Sequence, residues 1–255
     1  MGSLTTIYGF DVALDARFAA MMVIVYLAGI IRGFTGFGSA LLCVPALAVL
    51  YGPAQAVVIE VLIEIPVSLG LLSVALREAK RKTVLPMLCM FALFVPVGAL
   101  LLTVVNPDAV KIFMSVFVLI SVGIMWQQKR VVRLISPGIT YLFGAISGTT
   151  QGMSGIAGPL FATAMIARGD SSSVTRANIS ALSGGIIALS VTSFWFFGLL
   201  TAEAAFYAAL ASPAILLGVW TGAILFRRTT LLDLRSVILV FLTLIAIFTL
   251  FDTLA

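Results

Sequence analysis

Histidine is absent from this chain of 255 residues, and cysteine occurs only twice. Without histidine the commonest general base and the commonest metal ligand are missing. Cys43 and Cys89 both lie inside apolar runs and read as small packed hydrophobes. Zinc chemistry and Cys/His catalysis are therefore excluded, and no metal and no cofactor is expected. Charge is scarce as well. Only 10% of residues are Asp, Glu, Lys or Arg, against about 25% in an average soluble domain. With 62% hydrophobic residues and a mean hydropathy of +1.21, too few polar side chains exist to cover a water-soluble globule. The composition is that of an all-α polytopic membrane protein forming one membrane domain.

What is present is long apolar runs. A bilayer core of about 30 Å needs about 20 apolar residues in a helix. Six runs meet this, at 54–76, 83–105, 109–126, 178–200, 204–226 and 231–251. Two further apolar regions do not fit. Residues 19–50 are broken by Gly33-Phe34-Thr35-Gly36-Phe37-Gly38, and residues 139–167 by the stretch from Gln151 to Gly158. As straight helices they would be about 43–48 Å long. Each is too long for one span and too short for two, with helix-breaking glycines near its middle. Either each is one broken span, giving eight spans, or each is a re-entrant pair of half-helices meeting near the midplane, giving six crossings.

Charge arbitrates between the two. The net charge is +5, but the basic residues sit in short clusters between apolar runs. They read as topogenic charge rather than as a nucleic-acid surface. The clusters are Arg77/Lys80/Arg81/Lys82, Lys129/Arg130/Arg133, Arg168/Arg176 and Arg227/Arg228/Arg235. In the six-crossing arrangement all four face the cytoplasm, which accounts for 12 of the 15 basic residues. Eight spans would leave 7 inside and 5 outside. Six crossings are expected, with both chain ends outside and no cleavable leader.

The halves read as repeats. Gly36 and Gly152 are 116 residues apart, and Gly52 and Gly169 are 117 apart. The first repeat is expected over 1–127, with a broken helix at 17–50 and spans 54–76, 83–105 and 109–126. A cytoplasmic linker follows at 128–136. The second repeat covers 137–255, with a broken helix at 139–167 and spans 178–200, 204–226 and 231–251. Three crossings per half turn the second copy upside down, which is a recurring transporter architecture.

A half-helix that begins at the midplane leaves its first N–H groups unpaired. In hydrocarbon each would cost several kcal/mol. The helix dipole also places about half a positive charge there. The second half-helices start near Ser39 and near Ile156–Pro159. If both meet at the centre, two positive helix ends converge, and glycines admit a ligand close to the backbone. A small oxyanion suits such a nest. The candidate substrate-binding residues are Arg32, Gly33, Thr35, Gly36, Gly38, Ser39, Gln151, Gly152, Ser154, Gly155 and Gly158, with Thr149 and Thr150 as nearby donors. The glycines also read as close helix-packing positions.

Arg32 reads either as an anion counter-charge or as the partner of Glu60 or Glu64 in a structural ion pair. Glu60 and Glu64 are four apart and share a helix face, roughly 9 and 15 Å into their run. They are candidates for proton coupling, or counter-ions to Arg32 or Arg176. On the 116-residue step Glu60 falls opposite Arg176. Arg176 and Asn178 open the matching span and face either the same cavity or the cytoplasmic interface.

The stretch Gly33 to Pro45 resembles the first signature of the TauE/SafE sulfite exporter family, a glycine cluster leading into a Val-Pro helix start. Gly152-Met153-Ser154-Gly155-Ile156-Ala157-Gly158-Pro159 resembles the second. Ser39 and Ala40 stand where the family often has glycine, and Ala157 replaces the first of a Gly-Gly pair. These departures bear on substrate identity rather than on fold. The resemblance implies a secondary transporter, most simply an exporter, of sulfite, sulfoacetate or related organosulfonates across the cytoplasmic membrane. The alternatives are a carrier for another small carboxylate or inorganic anion, an anion channel, and a membrane assembly factor without transport. The expected partners are the anion, the lipid bilayer and, as an option left open, a second copy of the chain. Nucleic acid is not expected, and an enzyme is the least favoured class.

Overall fold

The computed structural model describes residues 4–7, 10–13, 16–126, 137–228 and 231–254, with side chains at 16–70, 77–126, 140–226, 239–240 and 242–253. The linker expected at 128–136 lies outside the described residues. A short antiparallel hairpin, β1 (Leu4–Ile7) and β2 (Phe10–Ala13), precedes the membrane part. The other described elements are helices: α1 (Ala16–Thr35), α2 (Ser39–Tyr51), α3 (Pro53–Glu78), α4 (Arg81–Val104), α5 (Pro107–Trp126), α6 (Pro137–Ser154), α7 (Gly158–Ala167), α8 (Ser172–Phe196), α9 (Ala202–Arg228) and α10 (Leu231–Leu254). Prolines open α3, α5 and α6 and stand in the first turn of α7. There the missing N–H would have had no partner anyway.

Six helices among the described residues are long and apolar enough to cross a membrane: α1, the first 18 residues of α3, α4, α5, α8 and α9. Large apolar side chains such as Leu93, Trp195, Trp220 and Phe248 are exposed on the bundle's outside. A surface of that kind requires a hydrocarbon solvent. The protein is a multi-pass membrane protein.

The inclusion of α1 corrects one expectation. At 20 residues it is about 30 Å long, longer than the half-helix expected. The reason is local. Gly33 does not break the helix, because its bare Cα is pressed against the backbone of Val219 in α9. The helix therefore runs on to Thr35, and the break is confined to residues 36–38. The second break is shortened in the same way. Gly152 packs on Val95, Gly98 and Ala99 of α4, so α6 continues to Ser154 and only residues 155–157 are non-helical.

The contacts establish the direction of each broken pair. α1 runs parallel to α9: Phe18 lies by Tyr207 with ring centroids 6.4 Å apart, and Phe34 by Phe226 at 5.6 Å. α2 returns to the level at which α1 began, since Tyr51 is 5.2 Å from Tyr207. α1 and α2 thus form a hairpin open toward the start of α9. In the same manner α6 runs parallel to α4, with Gly144 against Met87 and Met90 and Gly152 against Ala99. α7 then leads back to Asp170, whose carboxylate is 2.5 Å from Lys80 Nζ, one residue before α4. The second pair is a hairpin open toward the start of α4. Because α8 separates Asp170 from the start of α9, the two hairpins open toward opposite ends of the bundle. The same contact puts Lys80, of the first basic cluster, on one face with Asp170, which lies between Arg168 and Arg176 of the third.

The packing is exchanged between the halves. α1 lies along α9 as α6 lies along α4, and α3 crosses α8. Both long contacts use glycines four apart: Gly29 and Gly33 meet Gly218 and Val219, and Gly148 and Gly152 meet Val95, with Gly152 also against Gly98. Without a hydrophobic drive between helices in lipid, such close approach supplies the van der Waals contact that holds them together.

Candidate functional site

The two breaks meet. The position a Cβ would occupy on Gly158 is 3.5 Å from Phe37 Cβ and 3.7 Å from the Gly38 nitrogen. The first residues of α2 and α7 therefore stand side by side. Gly38 takes φ 96° and Gly155 φ 67°, left-handed values that glycine adopts without strain. Neither helix start has a side-chain cap. By contrast, Ser171 caps α8 by accepting from the Val174 N–H. Two uncapped helix ends, each with about half a positive charge, point into the same place.

That place is a buried cavity of about 50 Å³, lined among others by Arg32, Gly38, Ser39, Glu60, Glu64, Gln151, Gly155 and Gly158. At about 10–15 Å³ per water, it has room for about three to five waters or one compact anion. Its depth follows from Glu64, which lies about 17 Å along α3 from Pro53, midway through a bilayer core. The guanidinium of Arg32 pairs with Glu64 at 3.2 Å and donates to the Gly36 carbonyl at 2.6 Å. Ser39 Oγ donates to Glu64 Oε1 at 2.5 Å. Of the two readings of Arg32, the structure contains the ion pair. Glu60 differs from Glu64. It is 1% exposed, and neither of its oxygens has a hydrogen-bond partner among the described residues.

A second cavity, about 610 Å³, runs from Asp170, Ser172 and Arg176 on the Lys80 face inward to Arg32, Gly33, Thr35, Gly36 and Phe37. Arg32 and Phe37 line both cavities.

The remaining predicted residues serve the scaffold. Thr35 closes the first break, donating to Ile31 O at 2.8 Å and to Phe37 O. Ser154, Thr149 and Thr150 donate to carbonyls of their own helix. Gly152 is a packing glycine, and so is Gly33, which also lines the larger cavity. Asn178 is buried and its Oδ1 accepts the Lys80 N–H at 2.8 Å, holding the turn between α3 and α4.

The step between the breaks also differs from the expected one. Gly36 to Gly155 and Ser39 to Gly158 are both steps of 119 residues, not 116, because α6 continues through Gly152. Glu60 and Arg176 are therefore not counterparts. Glu60 lines the central cavity and Arg176 the outer one. On the 119 step Arg32 corresponds to Gln151 and Glu64 to Ser183, and all four line the central cavity. Ser183 and Phe161, also in its wall, were missed from sequence. The step of 119 would have found Ser183; nothing in the sequence marks Phe161.

Residues 21–249 match the model of the family described as Sulfite exporter TauE/SafE. The chain belongs to that family. Its members are transport proteins, so the family membership makes this a membrane transport protein for an anion. No curated protein and no solved structure matches the chain. In a TauE/SafE protein the meeting of the two breaks is the feature that chemistry singles out, since it alone joins both glycine signatures, both uncapped helix ends and the buried charges.

Proposed function

We propose that the protein is a secondary carrier that exports small sulfur-containing anions, sulfite foremost and sulfoacetate or related organosulfonates next, across the cytoplasmic membrane. The observation that carries this is the convergence of two uncapped helix starts on one buried cavity at mid-depth. The first-turn N–H groups supply donors for several oxygens, and the helix ends supply the sign. The cavity's size favours an anion built around one central atom over a longer organosulfonate.

The carrier works by alternating access between two inverted repeats, 1–127 and 137–255. Three features support this: the opposed hairpins, the exchanged packing of α1 on α9 and α6 on α4, and the 119-residue step. The Lys80 face is the cytoplasmic one, because it carries Arg77, Lys80, Arg81, Lys82, Arg168 and Arg176. The larger cavity is then the cytoplasmic vestibule, and Arg32 with Phe37 forms the barrier between it and the central site. With a negative interior, a monovalent anion gains about 2.3 kcal/mol per 100 mV on leaving, which favours export.

The test is a thermal-shift panel on purified protein with sulfite, sulfate, thiosulfate, sulfoacetate, taurine, isethionate and simple carboxylates. A ligand of the folded state raises the midpoint by mass action. Sulfite is expected to give the largest shift, and reconstituted vesicles to show saturable sulfite counterflow. A shift with carboxylates alone refutes the substrate class. Large currents without counterflow refute the carrier.

A further inference from the structure

We infer that Glu60 takes up a proton together with the transported anion, so that the protein moves the two as a pair. The inference rests on the reading of the central cavity as the anion site.

The argument is one of local charge. Four charged features share the cavity: Arg32, Glu64, Glu60 and the joined starts of α2 and α7. Arg32 and Glu64 neutralise each other at 3.2 Å, and Ser39 holds Glu64 from the other side. That pair is balanced in charge, with only the Arg32 Nε left without a hydrogen-bond partner among the described residues. What is left is the Glu60 carboxyl and two helix ends worth together about one positive charge. An ionised Glu60 and a bound anion would compete for the same positive potential. They share a small cavity walled by buried side chains, where like charges repel more strongly than in bulk water. The anion can take the helix ends only if Glu60 gives up its charge. One proton added to a Glu60 oxygen does this, and no bond in the anion changes.

No other group facing Glu60 can substitute. α1 presents Arg32, already paired. α2 presents Ser39, already donating to Glu64, and Cys43, whose thiol faces Glu60 as a weak donor and has no site for a further proton. α6 and α8 present Gln151 and Ser183 to the cavity, neither titratable. Among the described residues no cation other than Arg32 lines the cavity. Glu60, with both oxygens unpartnered, is the group left to carry the proton. A monovalent anion then crosses with no net charge, so the membrane-potential drive of an anion moving alone drops out and export runs on the anion's own gradient, opposed by any inward-directed pH gradient.

The experiment uses the purified full-length chain with methanesulfonate and sulfate as probes, beside sulfite. The first two keep their charge between about pH 5.5 and 7.5, so any pH dependence belongs to the protein. In the wild type, affinity is expected to rise up to about tenfold for each pH unit lowered, and infrared difference spectra to show a protonated carboxyl band appearing with the anion. Glu60→Gln is expected to lose the band and flatten the pH dependence. Glu60→Asp keeps both, and Glu64→Gln keeps the band. Persistence of the band in Glu60→Gln, or an unchanged pH dependence there, overturns the inference. A titrating band that is lost in Glu60→Gln but ignores every anion leaves the proton on Glu60 and refutes the cavity as the anion site.

Discussion

The guanidinium of Arg32, in the last turn of α1, lies 3.2 Å from the carboxylate of Glu64 halfway along α3, with both side chains less than a tenth exposed. This pair ties the tip of the first hairpin to a full crossing at mid-depth. It also sets what each partner's removal does.

Arg32→Ala leaves Glu64 as an uncompensated buried charge. Removing one partner of a buried pair costs about 3–5 kcal/mol. We expect a clear fall in the unfolding midpoint in detergent and loss of the sulfite-induced shift. The paired replacement Arg32→Met with Glu64→Met should recover most of the stability and none of the anion response. Recovery of both would show that the pair has no part in binding.

The break and packing glycines should separate by mechanism. A Cβ on Gly33 or Gly152 would collide with backbone atoms of the neighbouring helix. Gly33→Ala and Gly152→Ala are therefore expected to destabilise by about 1–3 kcal/mol. Gly36 has open space but φ 83°, so Gly36→Ala should lose about 1–2 kcal/mol through backbone strain alone. Gly70, helical with nothing near it, is the control, and Gly70→Ala should stay within about 0.5 kcal/mol of wild type. Thermal unfolding of the four variants ranks them.

On the Lys80 face, an exposed ion pair and a buried hydrogen bond lie side by side. Lys80→Ala removes the half-exposed contact with Asp170 and should change stability by no more than about 1 kcal/mol. Asn178→Ala removes the buried acceptor of the Lys80 N–H and should cost about 1–3 kcal/mol. A larger loss in Lys80→Ala would mean that charge, not the turn, holds this face together.

Topology can be read by labelling single cysteines in a Cys43→Ala, Cys89→Ser background. Lys80→Cys and Asp170→Cys should both react only with a reagent supplied from the cytoplasm. Asp108→Cys and Glu203→Cys, at the exposed starts of α5 and α9, should react only from outside. Labelling of Lys80→Cys and Asp170→Cys from opposite sides would restore the eight-span arrangement.

Much of the architecture was legible because the bilayer is a strict solvent. It demands about 20 apolar residues per crossing and penalises cations on the wrong side. Runs such as 83–105 and 204–226 therefore announce α4 and α9 directly. Gly38 and Ser39 were legible as a helix start because a glycine followed by a long apolar run leaves few other conformations. The ends of α1 and α6 were not. Gly33 and Gly152 look like helix breakers until Val219 and Val95 are seen against them. From that came the expected step of 116, where the breaks themselves lie 119 residues apart.

The sequence by itself determined that this is an all-helical membrane protein with two glycine-broken segments, because composition and run length answer to the solvent and to nothing else in the chain. Only the tertiary structure decided which glycines turn the backbone and which pack it. It also placed the starts of α2 and α7 side by side, bound Arg32 to Glu64, and left Glu60 without a partner. Those outcomes depend on distances between segments some 119 residues apart, and a side chain's partner is chosen by proximity in space, which spacing along a chain does not encode.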